Sequence, residues 1–199
     1  MTRRDLLAGA LAGLIPGGPR KTVFIEMAGG PSHADTFDLH VGPWTPDWME
    51  PVRHGRILFP AGLMPNLAAM LDRITLLRGL RARSLDHHSI ALPGAGPLLR
   101  ASRASFGDVC KESAAWLDRG ERFVHIRLAG WDHHGNLYEQ LRPLAASFDA
   151  GVAWLVRESD FRIIAMGEFG RRPGPLNQNG GRDHDPIHAA LVVPAHRSS

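Results

Sequence analysis

Among 199 residues there is a single cysteine, Cys110, so the chain can form no internal disulfide and no multi-cysteine zinc or iron–sulfur site. Cys110 has no proline two residues on and no arginine two beyond that, so it is not a sulfatase-type modified cysteine; it reads as a small buried hydrophobe on a helix. Lysine is nearly missing as well. Lys21 and Lys111 are the only two among 23 basic residues, and the others are arginine. Arginine stays charged to very high pH, which reconciles a formal net charge of +3 with an isoelectric point of about 9.7. The arginines are scattered, with small clusters at Arg81/Arg83 and Arg171/Arg172 and no basic stripe interleaved with aromatics. Nucleic acid is therefore not an expected partner. No apolar run is long enough to cross a bilayer, and no internal repeat is present. What remains is an ordinary globular composition, 44% apolar and 22% charged, at a length that suits one domain or at most two small ones.

The first residues, Thr2-Arg3-Arg4-Asp5-Leu6-Leu7, lead into an Ala/Gly/Leu-rich stretch to Ile15 and then Pro16-Gly17-Gly18. A charged head, a short apolar middle and a helix breaker are the parts of an export signal. The arginine pair directly before the apolar stretch points to the twin-arginine route, and so to that export machinery as a partner. An amphipathic first helix of the folded domain fits less well, because the run is apolar on all sides. The expected organisation is an export signal over residues 1–20 and a single α/β domain over 21–199, in the periplasm or cell envelope.

Short apolar runs then alternate with helical patterns. Thr22–Ala28, Ile74–Leu77, Arg122–Leu128, Phe161–Met166 and Ala189–Val193 read as strands. Pro65–Arg73, Phe106–Arg119 and Leu137–Arg157 read as helices, the last with Leu141, Leu144, Phe148, Val152 and Leu155 on one face and a kink expected at Pro143. Alternation of this kind predicts a mostly parallel sheet with helices on both faces. Ser32–Phe59 and Ser84–Arg103 lack periodicity and read as surface excursions.

Three of the strands run straight into glycine-containing polar loops: Gly29 to Thr36, Gly130 to Asn136 and Gly167 to Arg172. A further cluster, Gly181-Arg182-Asp183-His184, precedes the fifth strand. Loops after the carboxyl ends of parallel strands share one edge of the sheet, where ligands bind. That edge would gather Asp35, Asp132, His134, Glu168, Asp183 and His184. Carboxylates mixed with imidazoles suit divalent zinc, manganese, magnesium or iron, and two ions could share this many ligands. Arg171, Arg172 and Arg182 could hold an anionic group through bidentate hydrogen bonds. Each residue alone also has a structural reading: Asp132 and Asn136 as helix caps, Glu168 as a partner of Arg171, Asp183-His184 as a turn. His33, His40, His54, His87, His88, His125 and His196 belong to no motif, and His188 follows His184 at one-turn spacing.

The ordered set Arg3-Arg4-Asp5-Leu6-Leu7, Gly29-Gly30-Pro31-Ser32 with Asp35-Thr36-Phe37-Asp38, Gly130-Trp131-Asp132 with His134, Gly167-Glu168-Phe169-Gly170-Arg171 and Gly181-Arg182-Asp183-His184 resembles the bacterial family called domain of unknown function 1501. That family is similar to the alkaline phosphatase and sulfatase superfamily. The resemblance implies a metal-centred, hydrolase-like fold acting on phosphate or sulfate esters, with a small anionic ester or an envelope glycan as substrate. It implies that Asp132 and His134 hold one metal, that Glu168 is the strand-end acid, and that Asp183 and His184 complete the set. A nucleophile would come from Thr36 or Ser32. Compared with that family the chain reads as a shortened copy: the stretch from His88 to Gly130 is brief, Asp185 stands in place of an aromatic residue, His133 in place of a small polar one, and Arg172 in place of a threonine. A non-catalytic envelope protein with a retained or relic metal site is the alternative expectation.

Overall fold

The computed structural model describes residues 21–87, 90, 96–158 and 160–195. The expected export signal at residues 1–20 lies outside them. The described chain forms an α/β fold around a six-stranded sheet. Its strands are β1 (Thr22–Ala28), β4 (Thr75–Arg81), β5 (Leu98–Ala101), β6 (Phe123–Ala129), β7 (Arg162–Met166) and β10 (Ile187–Val193). Their order across the sheet is β4-β10-β7-β1-β6-β5. Strand β1 is central and buried along its whole length, as an unbroken apolar run requires. It pairs in parallel with β6 and β7, and β5 pairs in parallel with β6. Strand β10 is antiparallel to both β7 and β4. Since β4 and β7 are each antiparallel to β10, β4 runs in the same direction as β7, β1, β6 and β5.

The helices are α1 (Pro65–Ala68), α2 (Phe106–Asp118) and α3 (Leu137–Glu158). All three belong to the larger hydrophobic cluster, against Val23, Ile25 and Met27 of β1, Val124, Ile126 and Leu128 of β6, and Ile163 and Ala165 of β7. The alternate residues of the same strands face the other way. Phe24, Ile164, Met166 and Ala190 form a smaller cluster with Leu77, Leu80, Ile90 and Phe123. Among the described residues no α-helix contributes to this second cluster, so the helical layer of the described fold is one-sided. Helix α3 continues through Pro143 as one helix of 22 residues.

Four features differ from the sequence reading. The helix expected over 65–73 is a four-residue α1 followed by a 3₁₀ turn at Leu71–Arg73. The 32–59 region contains an exposed strand, β2 (Pro51–His54), paired with β3 (Ile57–Pro60) in a hairpin. The 84–103 region contains β5, a sheet edge. Strand β4 also runs four residues past its expected end, with a register shift opposite His188–Ala190. A short pair, β8 (Gly170–Arg171) with β9 (His184–Asp185), ties the loop after β7 to the segment before β10.

Candidate metal centre

The direction of the strands decides which segments meet. Loops after β1, β4, β6 and β7 all leave from one edge of the sheet. Strand β10, being antiparallel, starts there. Glycines permit the close approach. Gly29 lies at φ 121°, and a Cβ there would sit 2.4 Å from the backbone nitrogen of Asp132. Gly30 lies at φ 69°, and a Cβ there would sit 2.1 Å from the Phe169 ring. Any larger residue would separate the loops that follow β1, β6 and β7.

At this edge His87, Asp132, His134 and His184 each offer a ligand atom, and the four atoms lie within 4.8 Å of one another. Three of the segments after β4, β6 and before β10 supply them. His134 Nε2 stands 3.0 Å from His184 Nε2 and 3.2 Å from Asp132 Oδ1. His87 Nε2 stands 3.6 Å from Asp132 Oδ2. Nitrogen ligands about 2.0–2.1 Å from a tetrahedral ion are roughly 3.3 Å apart, so these separations fit one shared ion.

Protonation states also fit. Burial first, and then the charges of Arg171, His134 and His87, hold the His184 ring below its ordinary range, which favours the neutral imidazole that a metal needs. Burial pushes the Asp132 carboxyl upward, but the hydrogen bond and charge of Arg171, with His87 and His134, outweigh it and leave the group below the usual carboxylate range. Arg171 Nη1 also stands 3.1 Å from His134 Nε2.

Glu168 stands behind His87. Its Oε1 accepts the backbone N–H of Gly29 at 2.9 Å and faces His87 Nδ1 at 3.2 Å. Held on its Nδ1 side by Glu168, the His87 ring turns Nε2 toward Asp132 Oδ2. The other oxygen, Oε2, is buried and has no hydrogen-bond partner among the described residues. Phe169 packs behind the cluster, its ring centroid 4.2 Å from that of His184 and 5.0 Å from that of His87.

Of the residues singled out from the sequence, Asp132, His134 and His184 are brought together. Asp183 borders them: it is exposed, 4.0 Å from His134 Nδ1 and bonded to Asn177 Nδ2 at 3.2 Å. Glu168 touches the group through His87. Asp35 is elsewhere. It is buried against Arg182, which donates from Nε at 2.6 Å and from Nη2 at 3.1 Å, while the Tyr138 hydroxyl donates at 3.0 Å. Ser32 Oγ donates to the same carboxylate, and Thr36 Oγ1 donates to the Ser32 carbonyl at 2.7 Å. Both hydroxyl residues are buried, at 0% and 1% exposure.

The arginines are committed too. Arg171 is 0% exposed and donates from Nε to Gly30 O, from Nη1 to Arg182 O and from Nη2 to Gly29 O and Asp132 Oδ1. Arg182 donates its remaining Nη1 to the carbonyls of Arg172 and Gly174. Neither guanidinium faces solvent to meet a ligand. His87 is the residue that the motif reasoning passed over. The available signal was direction: a strand parallel to β1 must deliver its trailing loop, with Asp86-His87, to the same edge.

Residues 91–193, more than half of the chain, match the model of a family described only as a protein of unknown function. No curated protein sequence matches the chain. Among solved structures, the C-terminal periplasmic domain of EcEptC from Escherichia coli superposes with a TM-score of 0.52 at 10% identity, covering 90% of this chain and 74% of that one. The same domain in complex with Zn superposes with a TM-score of 0.50, again at 10% identity and with the same coverage. At this identity the likeness is one of fold.

Proposed function

The chain belongs to that family, DUF1501, and on that premise we propose that it is an exported, metal-dependent, hydrolase-like protein acting on phosphate or sulfate esters. The observation that carries the reading is the convergence of His87, Asp132, His134 and His184 within 4.8 Å at the sheet edge. Three imidazoles and one carboxylate suit zinc, manganese or iron better than magnesium, which favours oxygen ligands. The fold likeness to a periplasmic domain crystallised with Zn supports both the metal and the compartment. The arginine pair at Arg3-Arg4 supports passage through the twin-arginine machinery.

A bound ion would supply Lewis-acid polarisation of the ester and of water. The chain's own residues supply the frame. Glu168 fixes His87 through Nδ1, Arg171 fixes Asp132 and His134, and Phe169 fixes the planes of the His184 and His87 rings. The half-exposed side chains of Asp132 and His134 leave the group open to a ligand from solvent. The hydroxyls offered by the first loop, Thr36 and Ser32, are buried and hydrogen-bonded to backbone and to Asp35, which favours water as the attacking group.

The same burial favours a second reading, an envelope protein that binds metal without turnover. Elemental analysis of the purified protein, followed by a phosphate- and sulfate-ester screen, separates the two. Ester hydrolysis abolished by chelation and restored by a divalent ion supports the enzyme. Stoichiometric metal with a raised melting temperature and no turnover with any ester supports the binding protein. A folded chain without metal sinks both.

A further inference from the structure

Two arginines lie where the sequence offers carboxylates for metal. The Asp35 carboxylate is engaged on both oxygens by Arg182, and Tyr138 and Ser32 fill its remaining acceptor positions. Asp132 Oδ1 is taken by Arg171, whose Nη1 also faces His134 Nε2 at 3.1 Å. Both guanidinium groups are fully enclosed, and every nitrogen in them donates to the protein. Each guanidinium is a cation built into the fold. A divalent ion placed beside Asp35 would have to displace Arg182 from a bidentate pair. One placed on the Arg171 side of Asp132 would meet a fixed like charge at van der Waals distance. Asp132 Oδ2, which faces His87 Nε2 at 3.6 Å, is the carboxylate oxygen that Arg171 leaves to a metal shared with His134 and His184.

We propose that this edge of the sheet takes one divalent ion per chain and not two, with Arg171 and Arg182 occupying the cation positions beside Asp132 and Asp35. The inference rests on the metal centre proposed above and fixes its stoichiometry.

The test is calorimetric titration of the full chain with zinc chloride, with elemental analysis of the protein after desalting. The expected result is a single class of site with one zinc per chain. Two zinc ions per chain would overturn the inference while leaving the metal centre standing. No zinc in a folded chain would remove the metal centre itself, and this inference with it. Two variants add a direction. Asp132→Asn should weaken zinc binding at least tenfold. Asp35→Asn, checked for fold by circular dichroism, should leave the stoichiometry at one and the affinity within about twofold, because Asp35 serves Arg182 and not the ion. A drop in stoichiometry or a tenfold loss of affinity in folded Asp35→Asn would place Asp35 among the ligands and overturn the proposal.

Discussion

Asp35 shows how a residue type with the right chemistry can have another task. An aspartate three residues after a polar Gly-Gly-Pro-Ser turn is a plausible metal ligand on chemical grounds, yet its side chain is 1% exposed and paired with an Arg182 side chain that is 0% exposed. Removing one partner of such a pair leaves an uncompensated buried charge, a cost of about 3–5 kcal/mol. Asp35→Asn keeps the shape, but its amide nitrogen cannot accept where one carboxylate oxygen did, and the Arg182 charge is stranded. A urea titration should therefore show a loss at or slightly below the lower end of that range, and an unchanged midpoint would show that the pair contributes little. Glu168 was legible as a strand-end acid, but its part in orienting His87 was not, since Glu168 and His87 are 81 positions apart. At His87 the opposite holds. Only the direction of β4 brings it to the edge, and that direction depends on β10 being antiparallel to both neighbours.

Where segments carried a full period of apolar residues they were legible as elements. Strands β1, β6 and β7 and helices α2 and α3 follow from unbroken apolar runs or a single apolar stripe, and their bounds shift by only a residue or so. Strand β5 was illegible because Leu-Leu-Arg-Ala is four residues long, and as a sheet edge it leaves Leu98 half exposed. The far half of β4 was hidden by Arg78 and Gly79, the latter at φ 69° where two residues of β4 oppose one of β10. The β2–β3 hairpin has an exposed first strand and so no apolar alternation to read. Between α2 and α3 the packing is close enough to constrain a single atom. A Cβ on Gly151 would lie 2.6 Å from the Phe106 ring and 3.1 Å from Cys110 Sγ. Phe106 is itself stacked on Phe148 at 6.0 Å and has no room to swing away. Alanine gains up to about 1 kcal/mol of helix propensity over glycine, but overpacking a core costs about 1–3 kcal/mol. Gly151→Ala is expected to lower stability by about 1–2 kcal/mol in chemical denaturation. A stabilised variant would mean that the two helices separate freely.

For the molecule as a whole, buried histidines set the response to acid. Burial, reinforced by the charge of His33, lowers the His188 ring to about 4. His33, which sits near Asp38, Asp185, His40 and Asp35, is itself lowered by burial. Burial and the Arg171 charge bring His133 to about 4 as well. In the unfolded chain a histidine takes up a proton near pH 6.5, whereas His188 and His133 in the folded chain resist until about pH 4. The unfolded state therefore binds more protons throughout that window, and stability falls as pH drops through it, by on the order of 3 kcal/mol for His188 alone. Melting curves at pH 7 and pH 4.5 should show this fall in the wild type and a smaller one in His188→Gln; equal falls would shift the cause to other groups. The sheet order carries a consequence in time. His87 trails β4 and His184 leads into β10, 97 positions apart, while Asp132 and His134 come from the far side of β1. The four ligands can meet only after β4, β10, β7, β1 and β6 are all in register, which places the completed centre late on the folding path. An ion held there would stabilise the native state without touching the barrier on the way in. It would act as a brake on unfolding, and lifetime, more than speed of assembly, is what the metal would change.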